Sequence, residues 1–263
     1  MLALRSLVFN VAFYVNLIAA MLVGLPTMLM GRRAVMSLAR YWGRSSIWLA
    51  RLICGLDVEY RGVSNIPKGA ILIAPKHQSI WETFGLLEFF DDFSFVLKRE
   101  LTWIPFFGWY LLAAEQIAIN RSQGSSALAQ VSAAAQRLFA EGRQVYIFPE
   151  GTRRPVGAPP AYKYGVAQVY ASTGVKCLPV ALNAGLFWPR RSFLRKPGKI
   201  LVEFLPVIEP GLDARSFLAE LTERLESATD RLVAESLARH PGLSRPSGSL
   251  PPARTDTTGE TRA

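Results

Sequence analysis

Six short, mostly apolar runs between residues 70 and 205 constrain the fold of this chain more than any other feature. Each has the length of a strand, and segments with a helical pattern separate several of them. Continuous apolar strands alternating with helices predict an α/β fold, a single domain whose mostly buried mixed sheet is flanked by helices. We expect strands at 70–74, 93–97, 116–119, 145–148, 177–182 and 199–205, and helices at 81–90, 125–141, 165–173 and 213–239.

The N-terminal region has the character of a membrane-associated segment. From Ser6 to Gly31 no residue is charged and most are apolar, which is long enough to cross a bilayer. Pro26 would end or kink a helix, so a spanning segment and a half-inserted one both remain open. Residues 32–56 interleave arginines with tryptophans and aliphatic residues, a pattern typical of a helix lying in the membrane interface. The alternative is a buried core helix followed by an ordinary amphipathic one.

These patterns divide the chain into three parts. We expect a membrane-associated helical segment at 1–56, the α/β domain at 57–239 and a tail at 240–263. No linker rich in Pro, Gly and Ser interrupts residues 57–210, which favours one domain over two. The tail is rich in Pro, Ser, Thr, Gly and charge, so it is predicted to be disordered.

Composition narrows the class of function. The net charge is +10 and 50% of the residues are hydrophobic, which suits an anionic membrane surface or a phosphate-bearing ligand. The chain has no zinc-finger, helix-turn-helix or RNA-binding signature, so nucleic acid is not expected as a partner. Cys54 and Cys177 form no CxxC pair and the two histidines are far apart in sequence. We therefore expect buried free thiols and no metal site.

Residues 76–82, Lys-His-Gln-Ser-Ile-Trp-Glu, form the first motif that carries chemistry. An imidazole at His77 with a carboxylate at Glu82 fits a general base whose tautomer is fixed by an acid. Residues five apart do not share a helix face, so His77 would have to lie in a turn before the helix. In the competing interpretation Ser79 and Glu82 form a capping box, and Glu82 is structural. The motif alone does not distinguish a catalytic role of Glu82 from a capping role.

A second motif supplies candidate anion-binding groups. Lys98 and Arg99 precede a turn with Pro105 and Gly108, and Arg121 follows a predicted strand. Basic side chains in this setting can hold a phosphate, and arginine offers a bidentate contact. A solvated charged loop is the alternative, and it is preferred for Arg99.

The third motif, Phe-Pro-Glu-Gly-Thr-Arg at 148–153, also follows a predicted strand. Its Gly151-Thr152 turn brings backbone amides and Arg153 into range of an anion, with Glu150 beside them. The histidine of the first motif and the arginine of the second likewise follow strands. Because sites in open α/β sheets collect beyond the carboxyl ends of the strands, we expect these side chains to converge on one cleft.

The motifs in this order resemble those of the membrane-bound glycerolipid acyltransferases, most closely the bacterial lysophosphatidic acid acyltransferases. The likeness covers about residues 70–183, with a looser match at the apolar N-terminus. One departure is Glu82, where the family usually has the shorter Asp. The matching positions are His77 and Glu82 in the first block, Lys98, Glu100, Leu101, Pro105, Gly108 and Arg121 in the second, 148–153 in the third and 178–182 in the fourth.

The resemblance implies transfer of a fatty acyl chain from a thioester, acyl-CoA or acyl-ACP (acyl carrier protein), to the free hydroxyl of lysophosphatidic acid. The product would be phosphatidic acid, for phospholipid biosynthesis, and no bound cofactor or metal is implied. His77 would be the general base, oriented by Glu82. The remaining implied site residues are Lys98, Arg121 and Arg153 for the acceptor phosphate, and Glu150, Gly151 and Thr152 for shaping the site.

The expected partners are membrane lipids, lysophosphatidic acid and, as a candidate, acyl carrier protein. The arginines after Gly31 favour a catalytic domain on the cytoplasmic side of the membrane, and we expect that membrane to be the inner (cytoplasmic) one. The same chemistry on glycerol-3-phosphate, a lysophospholipid or a lyso-aminolipid is the near alternative, and a non-catalytic lipid-binding scaffold is the remote one. Four aromatic residues are expected either to line the acyl chain's route or to belong to the ordinary core, and the core is preferred for each: Trp103, Phe106, Phe107 and Trp109.

Overall fold

The computed structural model describes residues 1–120 and 124–243. In these residues seven strands form one sheet, accompanied by seven α-helices. The strands are β1 (Leu56–Arg61), β2 (Ile71–Pro75), β3 (Phe93–Lys98), β4 (Ile117–Ile119), β5 (Gln144–Tyr146), β6 (Cys177–Leu182) and β7 (Gly198–Phe204). The helices are α1 (Leu2–Val23), α2 (Arg32–Leu49), α3 (Glu82–Gly85), α4 (Phe107–Ala113), α5 (Ser125–Ala140), α6 (Tyr164–Thr173) and α7 (Ala214–Arg239).

The sheet is mixed and has the order β1-β7-β6-β2-β5-β3-β4. Strands β2 to β6 all run parallel, whereas β7 is antiparallel to β6 and parallel to β1. Parallel neighbours need long crossover connections, which the helices between them supply. The predicted α/β fold with a mixed sheet is confirmed.

Strand β2 shows how the sheet separates two apolar cores. Ile71 and Ile73 belong to the core on the side of α1 to α4, and Leu72 and Ala74 belong to the core under α5, α6 and α7. Successive side chains of a strand point to opposite faces, so a strand that is covered on both faces has to be apolar throughout. This explains why the central strands read as continuous apolar runs.

The predicted strands are confirmed to within two residues at each end, as are the helices expected at 125–141, 165–173 and 213–239. The helix predicted at 81–90 is wrong in length, because α3 ends at Gly85 and a short 3₁₀ turn follows. Gly85 lies so close to the ring of Trp81 that a Cβ atom there would come within 2.6 Å of it. Strand β1 and helix α4 were not predicted.

Helix α1 contacts the rest of the protein from its first turn to its last. The Arg195 amide donates a hydrogen bond to Ser6 Oγ at 2.9 Å, and the Tyr110 hydroxyl donates to the Met21 backbone oxygen at 2.6 Å. Phe9 lies buried between these points. Among the described helices only α1 is long and apolar enough to cross a bilayer. Its outer side exposes Leu4, Leu7, Val8, Val11, Val15, Ile18 and Leu22.

Most of the arginines of residues 32–56 are paired with carboxylates of the α/β domain. Arg32 lies 2.9 Å from Asp92 and 2.7 Å from Glu115, and it joins α2 to the far end of the sheet. These ion pairs therefore link residues 32–56, which include α2, to the α/β domain. The other pairs are Arg40 with Asp91, Arg44 with Glu88 and Arg51 with Asp57.

Both cysteines are free and buried, as predicted. Burial raises the pKa of the Cys54 thiol, and it raises the pKa of the Cys177 thiol well above the ordinary value. Neither thiol is therefore readily accessible or ionised near neutral pH.

Candidate active site

The predicted site residues gather at one edge of the sheet, where the parallel strands β2 to β6 have their carboxyl ends. His77 follows β2, Lys98 ends β3, and residues 148–153 follow β5, which lies between these two strands. Arg121 lies outside the described residues. The shared edge that the strand predictions implied is therefore present for the motifs that the structure describes.

The imidazole of His77 contacts the carboxylate of Glu82. His77 Nδ1 lies 2.9 Å from Glu82 Oε1, and the Glu82 side chain is completely buried. A buried carboxylate at Nδ1 favours the tautomer that carries its proton there, which leaves the lone pair of Nε2 as the basic site. The extra methylene of Glu82, relative to Asp, does not prevent this contact.

The capping-box contact of Glu82 is present as well. The backbone amides of Gln78 and Ser79 each donate to Glu82 Oε1 at 2.7 Å. The same oxygen thus faces two amides and the imidazole, so the two interpretations of the motif are compatible.

An aromatic ring supports the imidazole from one side. The rings of His77 and Phe148 are stacked, with centroids 4.0 Å apart and an interplanar angle of 21°. Phe148 is the first residue of the third motif, so that motif also helps to set the plane of the imidazole. With Glu82 at one edge and Phe148 on one face, the ring has little rotational freedom.

Glu150 ties the backbone of the first motif to the third. Its Oε2 accepts a hydrogen bond from the His77 amide at 2.9 Å, and its Oε1 lies 2.8 Å from Lys76 Nζ. Burial raises the pKa of Glu150, and Lys76 and the His77 amide offset only part of that effect. Glu150 therefore holds the peptide on which the imidazole is mounted.

Lys76 extends this network to the C-terminal helix. Its buried ammonium lies 2.5 Å from Glu226 Oε1 on α7, and the Tyr162 hydroxyl donates to the same oxygen at 2.8 Å. Glu226 and Tyr162 were not selected from the sequence. The one available signal was Lys76 itself, because a lysine next to a buried strand requires a buried acid. That signal does not say which acid.

The turn of the third motif depends on its glycine. The Gly151 amide donates to the Phe148 oxygen at 2.9 Å, and Gly151 has φ +66°, in the left-handed region that favours glycine. Thr152, next in the chain, is exposed. Arg190 donates from Nη1 to the Arg153 backbone oxygen at 3.0 Å, which fixes the end of the turn.

Two of the predicted anion-binding cations, Lys98 and Arg153, lie at this edge without an acidic partner among the described residues. Lys98 is exposed at the end of β3, and Arg153 is half-buried beyond β5, the strand that pairs with β3. Neither side chain is paired with a carboxylate in the described part of the chain. Cations placed in this way suit an anionic ligand that reaches the edge from solvent.

Three aromatic residues that were expected in the core are exposed. Trp103, Phe106 and Trp109 lie at the surface, and the prediction of ordinary core is wrong for them. The reason lies in α4, which buries Gly108 and Tyr110 instead and leaves Trp109 on its outer side. Phe107 is half-buried.

The arrangement can take a proton from a hydroxyl group and hold an anion nearby. The Nε2 lone pair would be the base, and Glu82 would stabilise the imidazolium that forms. Lys98 and Arg153 provide positive charge at the same edge.

Comparison with known proteins gives a consistent result. The sequence model of the acyltransferase family matches residues 57–183. The 1-acyl-sn-glycerol-3-phosphate acyltransferase of Pseudomonas aeruginosa is 40% identical over 209 residues, which cover 80% of this chain and 81% of that protein. A protein of the same name from Borreliella burgdorferi is 31% identical over 168 residues, covering 62% of this chain and 65% of its own. The crystal structure of the 1-acyl-sn-glycerophosphate (LPA) acyltransferase PlsC from Thermotoga maritima has the same fold, with a TM-score of 0.74 at 23% identity, and the match covers 89% of this chain and 98% of that one.

Proposed function

The chain belongs to the acyltransferase family, and on that premise we propose that it moves a fatty acyl chain from an acyl thioester to the free hydroxyl of lysophosphatidic acid. The product is phosphatidic acid. The observation that carries the proposal is the contact of His77 Nδ1 with the buried Glu82 carboxylate, which leaves Nε2 as a base. The name of the Pseudomonas aeruginosa relative supports the choice of acceptor.

In the proposed reaction His77 Nε2 takes the proton of the acceptor hydroxyl as its oxygen attacks the thioester carbonyl carbon. A C–O bond forms, the C–S bond breaks, and the thiol leaves as a thiolate. Glu82 stabilises the imidazolium, which then gives its proton to the thiolate or to water. Because a thiolate is a stable leaving group, the step needs no strong general acid and no acyl-enzyme.

The acceptor phosphate is assigned to the cations at the same edge. Lys98 and Arg153 hold it, and Arg121, two residues after β4 in the sequence, is assigned an assisting role. Glu150, Gly151 and Thr152 shape the site, the first through the His77 amide and the others through their turn. An intact pair of cations favours an acceptor that bears a phosphate.

The protein is membrane-associated, and we place α1 with its exposed apolar side in one leaflet. Hydrogen bonds near both ends of α1 to the α/β domain support this arrangement over a helix that crosses the bilayer alone. We assign the catalytic domain to the cytoplasmic side of the inner membrane, where acyl-CoA and acyl-ACP are both water-soluble donors. Membrane lipids supply the acceptor.

The test uses the purified full-length chain in lipid vesicles, with labelled lysophosphatidic acid and either acyl-CoA or acyl-ACP. We expect phosphatidic acid from wild type and from His240→Ala, and a loss of about a thousandfold in His77→Ala. The two variants are matched, since each removes one of the two histidines of the chain. The thioester that is consumed identifies the donor.

Two results would contradict the proposal. Near wild-type turnover by His77→Ala would remove His77 as the base. Product from glycerol-3-phosphate, a lysophospholipid or a lyso-aminolipid, with none from lysophosphatidic acid, would replace the acceptor.

A further inference from the structure

An exposed apolar surface lies directly after the proposed phosphate residue Lys98. Residues 101–112, called the 101–112 segment here, place most of their large side chains in solvent. Trp103 is 65% exposed, Trp109 49% and Leu112 61%, and Leu101, Ile104 and Phe106 are exposed as well. Clustered large apolar side chains on a surface, two of them tryptophans, mark an interaction site.

The backbone of the segment is held in a specific and strained shape. Phe106 has φ +62° and ψ −59°, a conformation that a residue with a bulky side chain rarely adopts. It is the centre of a γ-turn, closed by a hydrogen bond of 2.7 Å from the Phe107 amide to the Pro105 oxygen. The rings of Phe106 and Trp109 then lie 4.9 Å apart. Strain of this kind persists where it serves a function.

Glycine is required at the next position. A Cβ atom on Gly108 would come 2.1 Å from the Thr102 backbone oxygen, so no other residue fits without moving the chain. This close approach folds α4 back on the start of the segment. The exposed side chains are therefore presented on a rigid turn and not on a loose loop.

The segment adjoins the exposed face of helix α1. The Tyr110 hydroxyl donates to the Met21 backbone oxygen at 2.6 Å, close to the exposed Leu22 and Val23 at the end of α1. The apolar side of α1 is the surface already assigned to the lipid leaflet. The 101–112 segment is thus joined, through Tyr110, to the C-terminal end of the helix that carries that surface.

The charge pattern identifies the partner. From Leu101 to Ala114 there is no charged residue, and the charged residues Lys98, Arg99 and Glu100, with a net positive charge, stand directly before the segment. An acidic carrier protein would be bound by cations at the contact itself, whereas uncharged aromatic residues with cations behind them match a lipid interface. The Arg99 guanidinium lies 5.5 Å from the centre of the Trp103 ring, an arrangement that suits the depth of the headgroups.

We propose that the 101–112 segment is a second membrane contact, which inserts its exposed side chains among lipid acyl chains and sets Lys98 at the depth of the lipid phosphates. This proposal rests on the proposed function, because it explains how the protein binds a lysolipid that stays in the bilayer. Lysophosphatidic acid keeps its acyl chain in the leaflet while its phosphate reaches Lys98. The chain then has two membrane contacts, α1 and this segment, beside one site.

Depth-dependent quenching tests the proposal without any need for activity. Both native thiols are buried, so Trp103→Cys provides one accessible thiol for an environment-sensitive fluorophore. Tyr164→Cys is the control, since Tyr164 is also more than half exposed but begins α6 on the other face of the sheet. With full-length protein on anionic vesicles, lipids brominated along their acyl chains should quench the probe at 103 and leave the probe at 164 unchanged.

Three results would overturn the proposal. These are equal quenching at both positions, no quenching at 103, and a response at 103 to added acyl carrier protein in place of lipid. If the fluorescence of the probe at 103 changes only with protein concentration, the segment would instead be assigned to a contact between two copies of the chain. A quenched probe on a protein that acylates no lysolipid would retain the membrane contact and remove the proposed function.

A second measurement covers the case in which labelling perturbs the turn. Trp103→Ser combined with Trp109→Ser should raise the apparent KM for lysophosphatidic acid in vesicles about tenfold, since two aromatic contacts with lipid are lost. The KM for a short-chain acceptor dissolved in water should stay the same. Tyr164→Ser should change neither value. An equal rise for both acceptors would show that the tryptophans act within the site and not on the membrane.

Discussion

Glu150 accepts a hydrogen bond from the backbone amide of His77, although 73 residues separate the two in the sequence. Its other oxygen lies 2.8 Å from Lys76, the residue before His77. One carboxylate therefore holds two successive residues of the first motif. The glutamate of the third motif acts on His77 through the backbone and not by contact with its ring.

Replacing Glu150 with Gln should change how stability depends on pH. Burial raises the pKa of Glu150 above its ordinary 4.5, so the folded state holds a proton that the unfolded state releases. The raised pKa therefore contributes to the free energy of unfolding. This contribution is fully present below pH 4.5 and is lost as the pH rises through the folded pKa, with a slope of no more than about 1.4 kcal/mol per pH unit. Thermal unfolding of both proteins from about pH 4 to about pH 8 measures it. Parallel curves would show that the pKa is not raised.

Replacing Glu82 with Gln should lower kcat about a hundredfold or more, with only a small loss of stability. The amide oxygen can still accept from the Gln78 and Ser79 amides, but a neutral side chain does not stabilise an imidazolium. Steady-state kinetics and thermal unfolding separate the two effects. The Ala variant, which removes both contacts, should lose stability as well. Unchanged kcat in the Gln variant would leave Glu82 only its capping contact.

Replacing Lys98 or Arg153 with Met should raise the KM for lysophosphatidic acid about tenfold, because each loses a charge-assisted contact with the phosphate. Arg99→Met is the matched control for Lys98. Its guanidinium lies 5.5 Å from the centre of the Trp103 ring, so the KM for an acceptor dissolved in water should stay near wild type. If all three variants behave alike, the general positive charge of the loop attracts the substrate and no specific phosphate contact exists.

Replacing Glu226 with Ala should destabilise the protein by about 2 kcal/mol, since it leaves the buried Lys76 with one fewer carboxylate. Glu223→Ala, at an exposed position on the same helix, should change the free energy of unfolding by less than about 0.5 kcal/mol. Chemical denaturation gives both values. Equal effects would mean that the Lys76–Glu226 contact contributes nothing to stability.

Replacing Gly108 with Ala should destabilise the protein by about 1–3 kcal/mol, because its Cβ would overlap the Thr102 backbone oxygen. Gly165→Ala is the control, as its Cβ would meet only Leu128 at an ordinary 3.5 Å. Within α6 that change should add about 0.5–1 kcal/mol to the free energy of unfolding. Thermal unfolding that ranks the two variants the other way would contradict the close approach at Gly108.

The central strands and the three motifs were predictable because their signals are local. A buried strand is apolar at every position, and the motifs stand directly after such strands, so the sequence places them at one edge. Strand β1 was missed because Leu56-Asp57-Val58-Glu59-Tyr60-Arg61 alternates apolar and charged residues beside an amphipathic stretch. Its pairing partner β7 begins at Gly198, and the sequence around β1 does not predict that pairing.

Glu226 illustrates the same limit within the site. It lies 150 residues from Lys76, on a helix in which acidic residues are frequent. Only the packing of α7 against the sheet decides which of them reaches the buried ammonium. The exposed tryptophans were misassigned for a related reason, since aromatic residues in a short segment fit a core and a lipid surface equally well.

The order of the strands bears on where this polypeptide can be cut. Strand β1 precedes every motif in the sequence, yet it is an outermost strand of the sheet. Its one neighbour there is β7, which follows the last motif. A fragment ending at residue 183, where the family match ends, would keep every motif while stranding β1 and removing Glu226 from Lys76. The motif-bearing stretch is therefore not an autonomous folding unit, and any truncation meant to retain structure has to keep β7 and α7.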